Sequence, residues 1–363
     1  MGPPIPPTSK AIRRAPITSP PSLTSPLQLV QTTEPTLPPS GLGPHDVLLR
    51  IRAVSLNYRD VLMLRGGYPG GVVAEGVPGS DCAGEVVAVG AAVTRFAVGD
   101  RASPNLDLAN VDGEIAEGGH VGLGGDVDGV LREWGVWGEG VLVQVPGYLS
   151  WEEASTIACA GVTAWNAVNA PGSLGKGKSV LIQGTGGVSM FALLIALAGG
   201  FKPIITSSSD EKLETIRKSV GVPDLLGYNY RTTPDQAAEV KRLTNGKGVD
   251  IIVNNNGPAG IPADLESLAP YYGTISVVGF LAGMTADWNP GLLLGLIGKT
   301  AKIQGITCGS RVDYEALNQF FEEKKVSLKP LVDNRIFDFD DSQAAFDYLW
   351  SGKHVGKVVI RIP

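Results

Sequence analysis

Residues 179–189 read SVLIQGTGGVS, and this stretch decides the fold. Its opening part, Ser179 to Gln183, is a short apolar run typical of a buried β-strand, and the apolar segment Val188 to Ala198 predicts a helix directly after it. Strand, glycine turn and helix in this order predict a site for the pyrophosphate of a dinucleotide at the positive end of the helix. The expected contacts are Gly184, Thr185, Gly186, Gly187 and Val188.

The glycines of this turn have separate roles in that prediction. Gly184 permits the tight turn, and Gly186 lets backbone amides approach the pyrophosphate. Ser189 stands where a third glycine is expected, and it is small enough for the helix to pack closely on the strand. The alternative is an ordinary glycine-rich connection, because short motifs of this kind also occur without a ligand.

Strand and helix patterns alternate beyond the glycine turn. Strands are expected at Pro203 to Ser207, Asp250 to Asn254 and Thr274 to Gly279. A helix is expected at Asp210 to Val220, where Ser208 and Glu211 have the spacing of a capping box. This alternation predicts an α/β fold with a parallel, doubly wound sheet, which binds ligands beyond the carboxyl ends of its strands.

The end of the second strand indicates which dinucleotide is bound. An acidic residue is expected there for the ribose hydroxyls of NAD, but the chain has Thr206 followed by Ser207, Ser208 and Ser209. Hydroxyls and helix-start amides, with Lys212 one turn into the helix, can accept a 2′-phosphate. NADPH is therefore favoured. The alternatives are that the serines only cap the helix, and that Asp210 and Glu211 allow NADH.

The residues before about 150 predict mostly β structure between glycine turns. Twelve prolines in the first 44 residues predict an irregular leader with edge strands. Residues Asn105 to Gly129 predict a long surface loop, and Trp151 to Asn169 predict a helix. The expected strands are Leu27 to Thr32, Asp46 to Ser55, Gly84 to Gly90, Val141 to Val145 and, near the carboxyl end, Lys357 to Ile362.

Composition excludes several classes of partner. The net charge of -6 leaves no basic field for nucleic acid, and no apolar run reaches the roughly 20 residues of a bilayer span. Cys82, Cys159 and Cys308 are an odd count that suits reduced thiols. The leader lacks the apolar core of a signal peptide, so a cytoplasmic protein is expected.

Several ordered motifs resemble one protein family over nearly the whole chain. The chain is similar to the zinc-free branch of the medium-chain dehydrogenase/reductases, which is related to quinone oxidoreductases and has alcohol-dehydrogenase-like members. The glycine turn is one such motif. The others are Ser55 to Asp60, Gly67 to Pro69, Gly79 to Val86, Val98 to Arg101, Cys159 to Trp165, Thr206 to Lys212 and His354 to Lys357.

The resemblance implies a domain organisation and the absence of zinc. It implies a GroES-like, mostly-β catalytic domain from residues 1–152, completed by 301–363, a Rossmann NADP-binding domain over 153–300, and frequent homodimers. Zinc-dependent relatives bind their metal through Cys, His and Cys. Here Asn57 stands near the first ligand and Ser80-Asp81 where His-Glu is expected. Only Cys159 matches the last ligand, and a small buried thiol explains it equally. We therefore expect no metal.

Without a metal, hydrogen bonds must stabilise the negative charge that develops on the substrate oxygen. This suits a conjugated carbonyl or a quinone, because hydride addition to an enone or enal gives an enolate. Tyr68 is the first candidate donor, since the Gly-Tyr-Pro segment resembles the active-site tyrosine segment of related enoyl and quinone reductases. It could instead pack a turn. Asn57 is the second, by resemblance, although it could cap a turn.

The resemblance implies further cofactor contacts, which are Thr163, Tyr230, Gly279, Phe280, Leu281 and, more weakly, Lys357. Lone basic residues are more often solvated, so a surface position is the alternative for Lys357. Asn255 could hydrogen-bond ribose or substrate, but a loop preference also explains the run Asn254 to Gly257.

Three functions follow from these residues. The first is an NADPH-dependent reductase of a small enone, enal or quinone. The second is an NADP(H)-dependent alcohol or carbonyl oxidoreductase acting on a specialised metabolite. The third is a catalytically silent NADPH-binding protein, for which the departures at Ser189 and Asn254 to Asn256 leave room.

Overall fold

The structure is a computed structural model that describes residues 4–114 and 118–363. The chain forms two compact units. The first consists of Met1–Val162 together with Gly309–Pro363, and the second is Thr163–Cys308. Among the described residues no helix is both long and apolar enough to cross a bilayer.

The strands are, in chain order, β1 (Thr8–Arg14), β2 (Leu29–Pro35), β3 (Asp46–Ser55), β4 (Asp81–Val89), β5 (Arg101–Pro104), β6 (Trp134–Gly138), β7 (Leu142–Gln144), β8 (Ser179–Ile182), β9 (Lys202–Ser207), β10 (Leu226–Asn229), β11 (Ile251–Asn254), β12 (Thr274–Val277), β13 (Lys302–Gly305), β14 (Val332–Asp338) and β15 (Lys357–Arg361). The α-helices are α1 (Tyr58–Leu64), α2 (Trp151–Ala154), α3 (Val162–Ala167), α4 (Ala170–Ser173), α5 (Gly187–Gly199), α6 (Asp210–Val220), α7 (Gln236–Leu243), α8 (Ile261–Ser267), α9 (Gly295–Lys299), α10 (Arg311–Lys324) and α11 (Ser342–Trp350).

The second unit is built on a six-stranded parallel sheet. Its strand order is β10-β9-β8-β11-β12-β13, and every neighbouring pair is parallel. In order along the chain this is 3-2-1-4-5-6, the order of a doubly wound dinucleotide-binding sheet. The order reverses between β8 and β11, so ligands of such sheets bind beyond the ends of these two strands. The predicted parallel, doubly wound fold is confirmed.

Burial on both faces explains the sequences of the central strands. The last three residues of β8 and all four of β11 are buried, which is the pattern of parallel strands covered by helices on each side. Helix α5 is apolar nearly all round, and its buried residues include Met190, Phe191 and Leu193. Removing a buried ring such as Phe191 costs about 3–5 kcal/mol, so α5 is a main contributor to the stability of this unit.

The first unit is mostly β, as predicted. Its large sheet has the order β14-β15-β3-β4-β5-β7, with β6 also paired to β3. Strand β15 is parallel to β14 and antiparallel to β3, so a strand from beyond the second unit lies beside one that precedes it. Apolar side chains of β3, β4 and β15 form the core together with α1 and α11.

Two local predictions differ from the structure. The Pro-rich leader contains β1, which pairs along its whole length with β2, whereas only the second strand was expected. Prolines lie on both sides of β1 but none lies within it, so β1 itself keeps all its N–H donors. The single helix expected from Trp151 to Asn169 is divided by a π-helix, Ile157–Gly161. The loop Asn105 to Gly129 has only isolated bridges among its described residues.

Candidate active site

The glycine turn between β8 and α5 has the conformation that the sequence predicted. Gly184 has a φ of +81°, a region that residues with a Cβ rarely adopt. Gly186 is the N-cap residue of α5, and a Cβ built on it would meet no atom within 4 Å. Thr185, Gly187 and Val188 are all partly exposed along the same turn. The first N–H groups of α5 lack intrahelical partners, and beside open space they can bind an anion.

The side chains of Ser189 and Asn255 form hydrogen bonds to the residue that leads into the glycine turn. Ser189, at the place of the third glycine, is buried, and its Oγ donates to the Gln183 carbonyl at 2.8 Å. Asn255 Nδ2 donates to the same carbonyl at 2.9 Å and to Ser189 Oγ at 3.2 Å. The side-chain N–H groups of Asn255 are thereby engaged with the turn. Asn255 therefore supports the glycine turn, and its predicted contact with the cofactor stays a prediction.

A buried carboxylate lies beneath the same two loops. Asp264 Oδ1 accepts hydrogen bonds from Gln183 Nε2 and Gln236 Nε2, each at 2.7 Å, and its Oδ2 accepts from Asn254 Nδ2 at 2.6 Å. Burial raises the pKa of Asp264 to about 6, although the three amide donors favour its ionised form. Because Gln183 precedes the glycine turn and Asn254 ends β11, Asp264 connects the ends of both central strands.

The serine run after β9 is arranged differently from the predicted capping box. The N-cap of α6 is Ser209, whose Oγ accepts from Lys212 N at 3.3 Å. The box predicted from Ser208 and Glu211 is therefore wrong by one residue, because the strand and its turn extend through Ser208. Ser207 is buried, and its Oγ accepts from Ser209 N at 3.1 Å. Ser208, Ser209 and Lys212 are partly exposed at the start of α6.

The remaining predicted cofactor contacts of this unit lie mostly around the carboxyl edge of the sheet. Tyr230 follows β10, and its N–H donates to the Ser207 carbonyl at 3.0 Å, so it lies next to the serine run. Gly279, Phe280 and Leu281 follow β12 and are partly or largely exposed. The Leu281 N–H donates to the Asn255 carbonyl at 2.9 Å, which joins the loops after β11 and β12. Thr163 is buried in α3.

The first unit contains a buried polar cluster around Lys357. The Lys357 ammonium donates to Asn57 Oδ1 at 2.5 Å and to Asp81 Oδ2 at 2.9 Å. Asn57 Nδ2 in turn donates to Ser80 Oγ at 3.3 Å. Lys357 is 2% exposed and Asp81 0%, so the solvated-surface alternative for Lys357 is wrong. Its predicted contact with the cofactor is untested, whereas its bond to the predicted catalytic residue Asn57 is direct.

The ring of Tyr68, the other predicted catalytic residue, lies against the guanidinium of Arg59. It is partly exposed in the segment after α1, and the Arg59 guanidinium carbon lies 5.4 Å from the centre of its ring. Arg59 NH1 donates to the Leu123 carbonyl at 2.8 Å and lies 3.6 Å from Asp60 Oδ1. Burial lowers the pKa of Arg59, but Asp60, Cys159 and Tyr68 together raise it by more, so Arg59 stays cationic.

Cys159 is partly exposed rather than buried as one reading of the sequence supposed. It lies in the π-helix Ile157–Gly161, and its thiol interacts electrostatically with Arg59. Single-turn π-helices often occur at functional sites. Among the described residues, no group of three or more His, Cys, Asp and Glu side chains is placed to hold a metal ion.

Sequence reasoning missed three residues that organise these sites. Asp264 carries no local motif, and its partners lie 10, 28 and 81 residues away. Lys357 was singled out for a different role, since Asn57 is 300 residues away. Arg59 was included only as part of the motif Ser55 to Asp60. No local pattern predicts its contact with Tyr68, because Arg59 is the second residue of α1 and Tyr68 lies beyond the end of that helix.

Family profiles match both units. The profile described as "Alcohol dehydrogenase GroES-like domain" matches residues 43–150, and the one described as "Zinc-binding dehydrogenase" matches residues 187–323. The two matches cover Asn57, Tyr68 and Asp264, and the second begins at Gly187, within the glycine turn.

Similar proteins are oxidoreductases by name. A zinc-type alcohol dehydrogenase-like protein of Schizosaccharomyces pombe is 38% identical over 328 residues, covering 89% of this chain and 93% of that protein. A quinone oxidoreductase of Pseudomonas aeruginosa is 31% identical over 256 residues, covering 70% of this chain and 71% of that protein. A crystal structure of a candidate alcohol dehydrogenase from Sinorhizobium meliloti is 35% identical and superposes with a TM-score of 0.85 over 98% of both chains.

Proposed function

We propose, from the premise that this chain belongs to the medium-chain dehydrogenase/reductase superfamily of oxidoreductases, that it reduces a small conjugated carbonyl or a quinone with NADPH and without zinc. The family uses a nicotinamide cofactor. The observation that carries the proposal is the cluster of Lys357, Asn57 and Asp81. By resemblance, Asn57 stands near the first zinc ligand of zinc-dependent relatives and Ser80-Asp81 where His-Glu is expected, and the Lys357 ammonium is bonded to both Asn57 and Asp81. This set of side chains does not fit a tetrahedral zinc ion.

The start of α6 supports NADPH over NADH. Ser208 and Ser209 supply hydroxyls there, Lys212 supplies a cation, and the helix adds the positive end of its dipole. A 2′-phosphate would gain from all three, whereas no carboxylate ends β9 to hold the ribose hydroxyls of NADH. We expect Lys212→Ala to raise the Kd for NADPH while leaving that for NADH within about twofold, because the 2′-phosphate, which NADH lacks, loses a cationic partner.

The first unit supplies hydrogen-bond donors rather than a Lewis acid. Bound NADPH would supply the hydride. Asn57 would donate an amide N–H to the substrate oxygen, and the Tyr68 hydroxyl would donate a second hydrogen bond or a proton. Such donors stabilise an enolate or a hydroquinone anion more readily than a bare alkoxide. A conjugated acceptor is therefore the better substrate for this set of side chains.

The assay is NADPH oxidation with enones, enals, quinones and unconjugated aldehydes, with product identification. We expect turnover with conjugated acceptors, reduction of the carbon–carbon double bond of enones, and the same rate after dialysis against a zinc chelator. Reduction of the carbonyl itself would favour the alcohol or carbonyl oxidoreductase, which the name of the Schizosaccharomyces pombe relative supports. Tight NADPH binding with no turnover would favour the silent binding protein.

We also propose that two copies of the chain associate through the second unit. Strand β13 lies at the end of the sheet order and pairs only with β12 among the described residues. Leu294 and Ile297, which precede it, are 70% and 77% exposed. An open strand edge beside exposed apolar side chains favours pairing with a second copy.

The cellular location is proposed from the cysteines. Cys82, Cys159 and Cys308 form no disulfide with one another, and burial raises the pKa of the Cys82 thiol, which keeps it protonated. Free thiols suit a reducing compartment, so the cytoplasm is the expected location.

A further inference from the structure

We propose that Lys357 is a positioning residue for the reaction: its ammonium orients and polarises the Asn57 carboxamide, which then presents an N–H to the substrate oxygen. The inference rests on the proposed function and adds to it the residue that makes Asn57 a strong donor. Lys357 itself does not contact the substrate. It acts through the 2.5 Å bond from its Nζ to Asn57 Oδ1.

The chemistry of lysine fixes the orientation of the Asn57 amide. An ammonium has three donors and no acceptor, so the Asn57 atom that it contacts must be the carbonyl oxygen. The nitrogen therefore points the other way, where Ser80 Oγ lies 3.3 Å from Nδ2. An asparagine whose two ends are normally hard to distinguish is here assigned by its partners. Rotation of the amide by 180° would place its NH₂ group against the ammonium.

The position of Asn57 is fixed at its backbone as well. The Asn57 N–H donates to Asp60 Oδ2 at 2.8 Å, and Asn57 is the N-cap residue of α1. Both ends of the residue are thus held, the main chain by Asp60 and the side chain by Lys357. A donor held in this way loses little conformational entropy when the substrate oxygen arrives.

One amide proton of Asn57 remains available. Nδ2 carries two protons, and within the described residues its only hydrogen-bond partner is Ser80 Oγ. Asn57 keeps 9% of its surface exposed, whereas Lys357 and Asp81 keep 2% and 0%. The amide is therefore the member of this cluster that a small molecule can reach. A cation on its oxygen withdraws electrons from the nitrogen and strengthens the N–H as a donor.

Stability alone does not account for the Lys357–Asp81 pair. Burying both charges is costly, and apolar side chains of similar size often replace such pairs without loss of stability. The pair is also incompletely satisfied, since Asp81 Oδ1 has no hydrogen-bond partner among the described residues. A costly buried cation that contacts the accessible amide fits a role in positioning that amide better than a purely structural role.

The experiment is a double-mutant cycle between the charge pair and Asn57. Lys357→Met alone would leave Asp81 buried and unpaired and would endanger folding, so the test variant is Lys357→Met/Asp81→Asn, which removes both charges. Asn57→Ala is the second arm, and the triple variant closes the cycle. Lys353→Met, at an exposed lysine four residues before Lys357, is the matched control.

We expect the charge-pair variant to lose about 100-fold in kcat, as when an oxyanion donor is removed. In the Asn57→Ala background the same change should alter kcat by no more than about twofold, because Lys357 would have nothing left to act on. The Kd for NADPH should stay within about twofold of that of the control variant. An additive loss, an unchanged kcat, or weakened NADPH binding would overturn the inference, the last by assigning Lys357 to the cofactor.

A measurement that does not require catalytic activity tests this inference separately from the proposed function. The side-chain amide of Asn57 can be followed by NMR in selectively labelled protein. With the cation removed, rotation of its NH₂ group should become several-fold faster, because the ammonium no longer stabilises the charge-separated form of the amide. Unchanged rotation would overturn the inference even in an active enzyme. A wild-type chain that oxidises no NADPH would defeat the proposed function, and the amide measurement would still decide this one.

Discussion

At the scale of single residues, each candidate donor of the first unit has a cation beside it. Arg59 lies against the ring of Tyr68, and Lys357 is bonded to Asn57. Both cations have a buried carboxylate next to them, Asp60 for Arg59 and Asp81 for Lys357. Positive charge is therefore held close to both donors while the net charge of the site stays near zero.

The hydroxyl of Tyr68 can be tested by removing it alone. Tyr68→Phe keeps the ring that Arg59 covers, and we expect kcat to fall by about 100-fold if the hydroxyl donates in the transition state. The Kd for NADPH should not change. Tyr58→Phe is the control, because Tyr58 is a partly exposed ring stacked on Trp350. Equal kinetics for the two variants would remove Tyr68 from the mechanism.

Asp264 predicts a dependence of stability on pH. Its folded-state pKa is raised by burial to about 6, above an unfolded value of about 3.9. Its contribution is therefore fully present below about pH 4 and is lost as the pH rises through about 6. Relative to Asp264→Asn, the wild type should lose about 2 kcal/mol of unfolding free energy between pH 4 and pH 7.

Urea unfolding of both proteins at the two pH values measures this difference. Asp224→Asn, at an exposed aspartate, is the control and should follow the wild type at both pH values. Parallel behaviour of the Asp264→Asn variant and the wild type would show that the carboxyl of Asp264 titrates normally.

At the scale of elements, the sequence predicted helices and strands that depend on residues within the segment, but not those that depend on residues elsewhere in the chain. Strand β3 and helix α6 were predicted with their observed bounds, since apolar periodicity and turn residues lie within the segments themselves. The N-cap of α6 was predicted at Ser208 but lies at Ser209, because each of three consecutive serines can cap a helix. Strand β1 was missed because its backbone partners, β2 and Leu131, lie outside the segment itself.

The two glycines of the turn before α5 should respond differently to substitution. Gly184→Ala forces a Cβ into a backbone with φ of +81° and should cost about 1–2 kcal/mol of stability. Gly186→Asp places a good N-cap residue in extended backbone with free space around it, so stability should be kept. Its carboxylate would repel the pyrophosphate, and the Kd for NADPH should rise by about tenfold or more.

Thermal unfolding and a fluorescence titration with NADPH measure the two effects separately. If Gly186→Asp binds NADPH as tightly as the wild type does, the pyrophosphate does not lie at the start of α5. If Gly184→Ala is as stable as the wild type, the left-handed conformation of the turn is not required.

At the scale of the whole molecule, the order of segments along the chain limits what the sequence could reveal. The second unit is continuous, and its fold and glycine turn were predicted from neighbouring residues. The first unit is assembled from two segments, and its polar cluster joins Asn57 to Lys357 across 300 residues. A single sequence contains no local signal for such a pairing, so the role of Lys357 depended on the three-dimensional structure.

Association of two copies is tested by one charged substitution. The wild type should have twice the chain mass of 37.9 kDa in solution, and Ile297→Glu should have the mass of one chain, because a carboxylate cannot be buried there unpaired. Sedimentation equilibrium gives both masses. Ile17→Glu, at an exposed isoleucine of the first unit, is the control and should keep the wild-type mass. A monomeric wild type would contradict the proposed dimer.

The place of β15 in the first sheet has a consequence for biosynthesis. Strand β3 leaves the ribosome about 300 residues before β15, its antiparallel neighbour. At roughly 5–20 residues per second, the nascent chain waits roughly 15–60 s before β3 can gain this partner. During that interval Asp81 lacks its ion-pair partner, Lys357. The edge of β3 that will pair with β15 is open to other nascent chains. A chaperone bound cotranslationally would find its target here rather than in the second unit, which is complete before translation reaches β15.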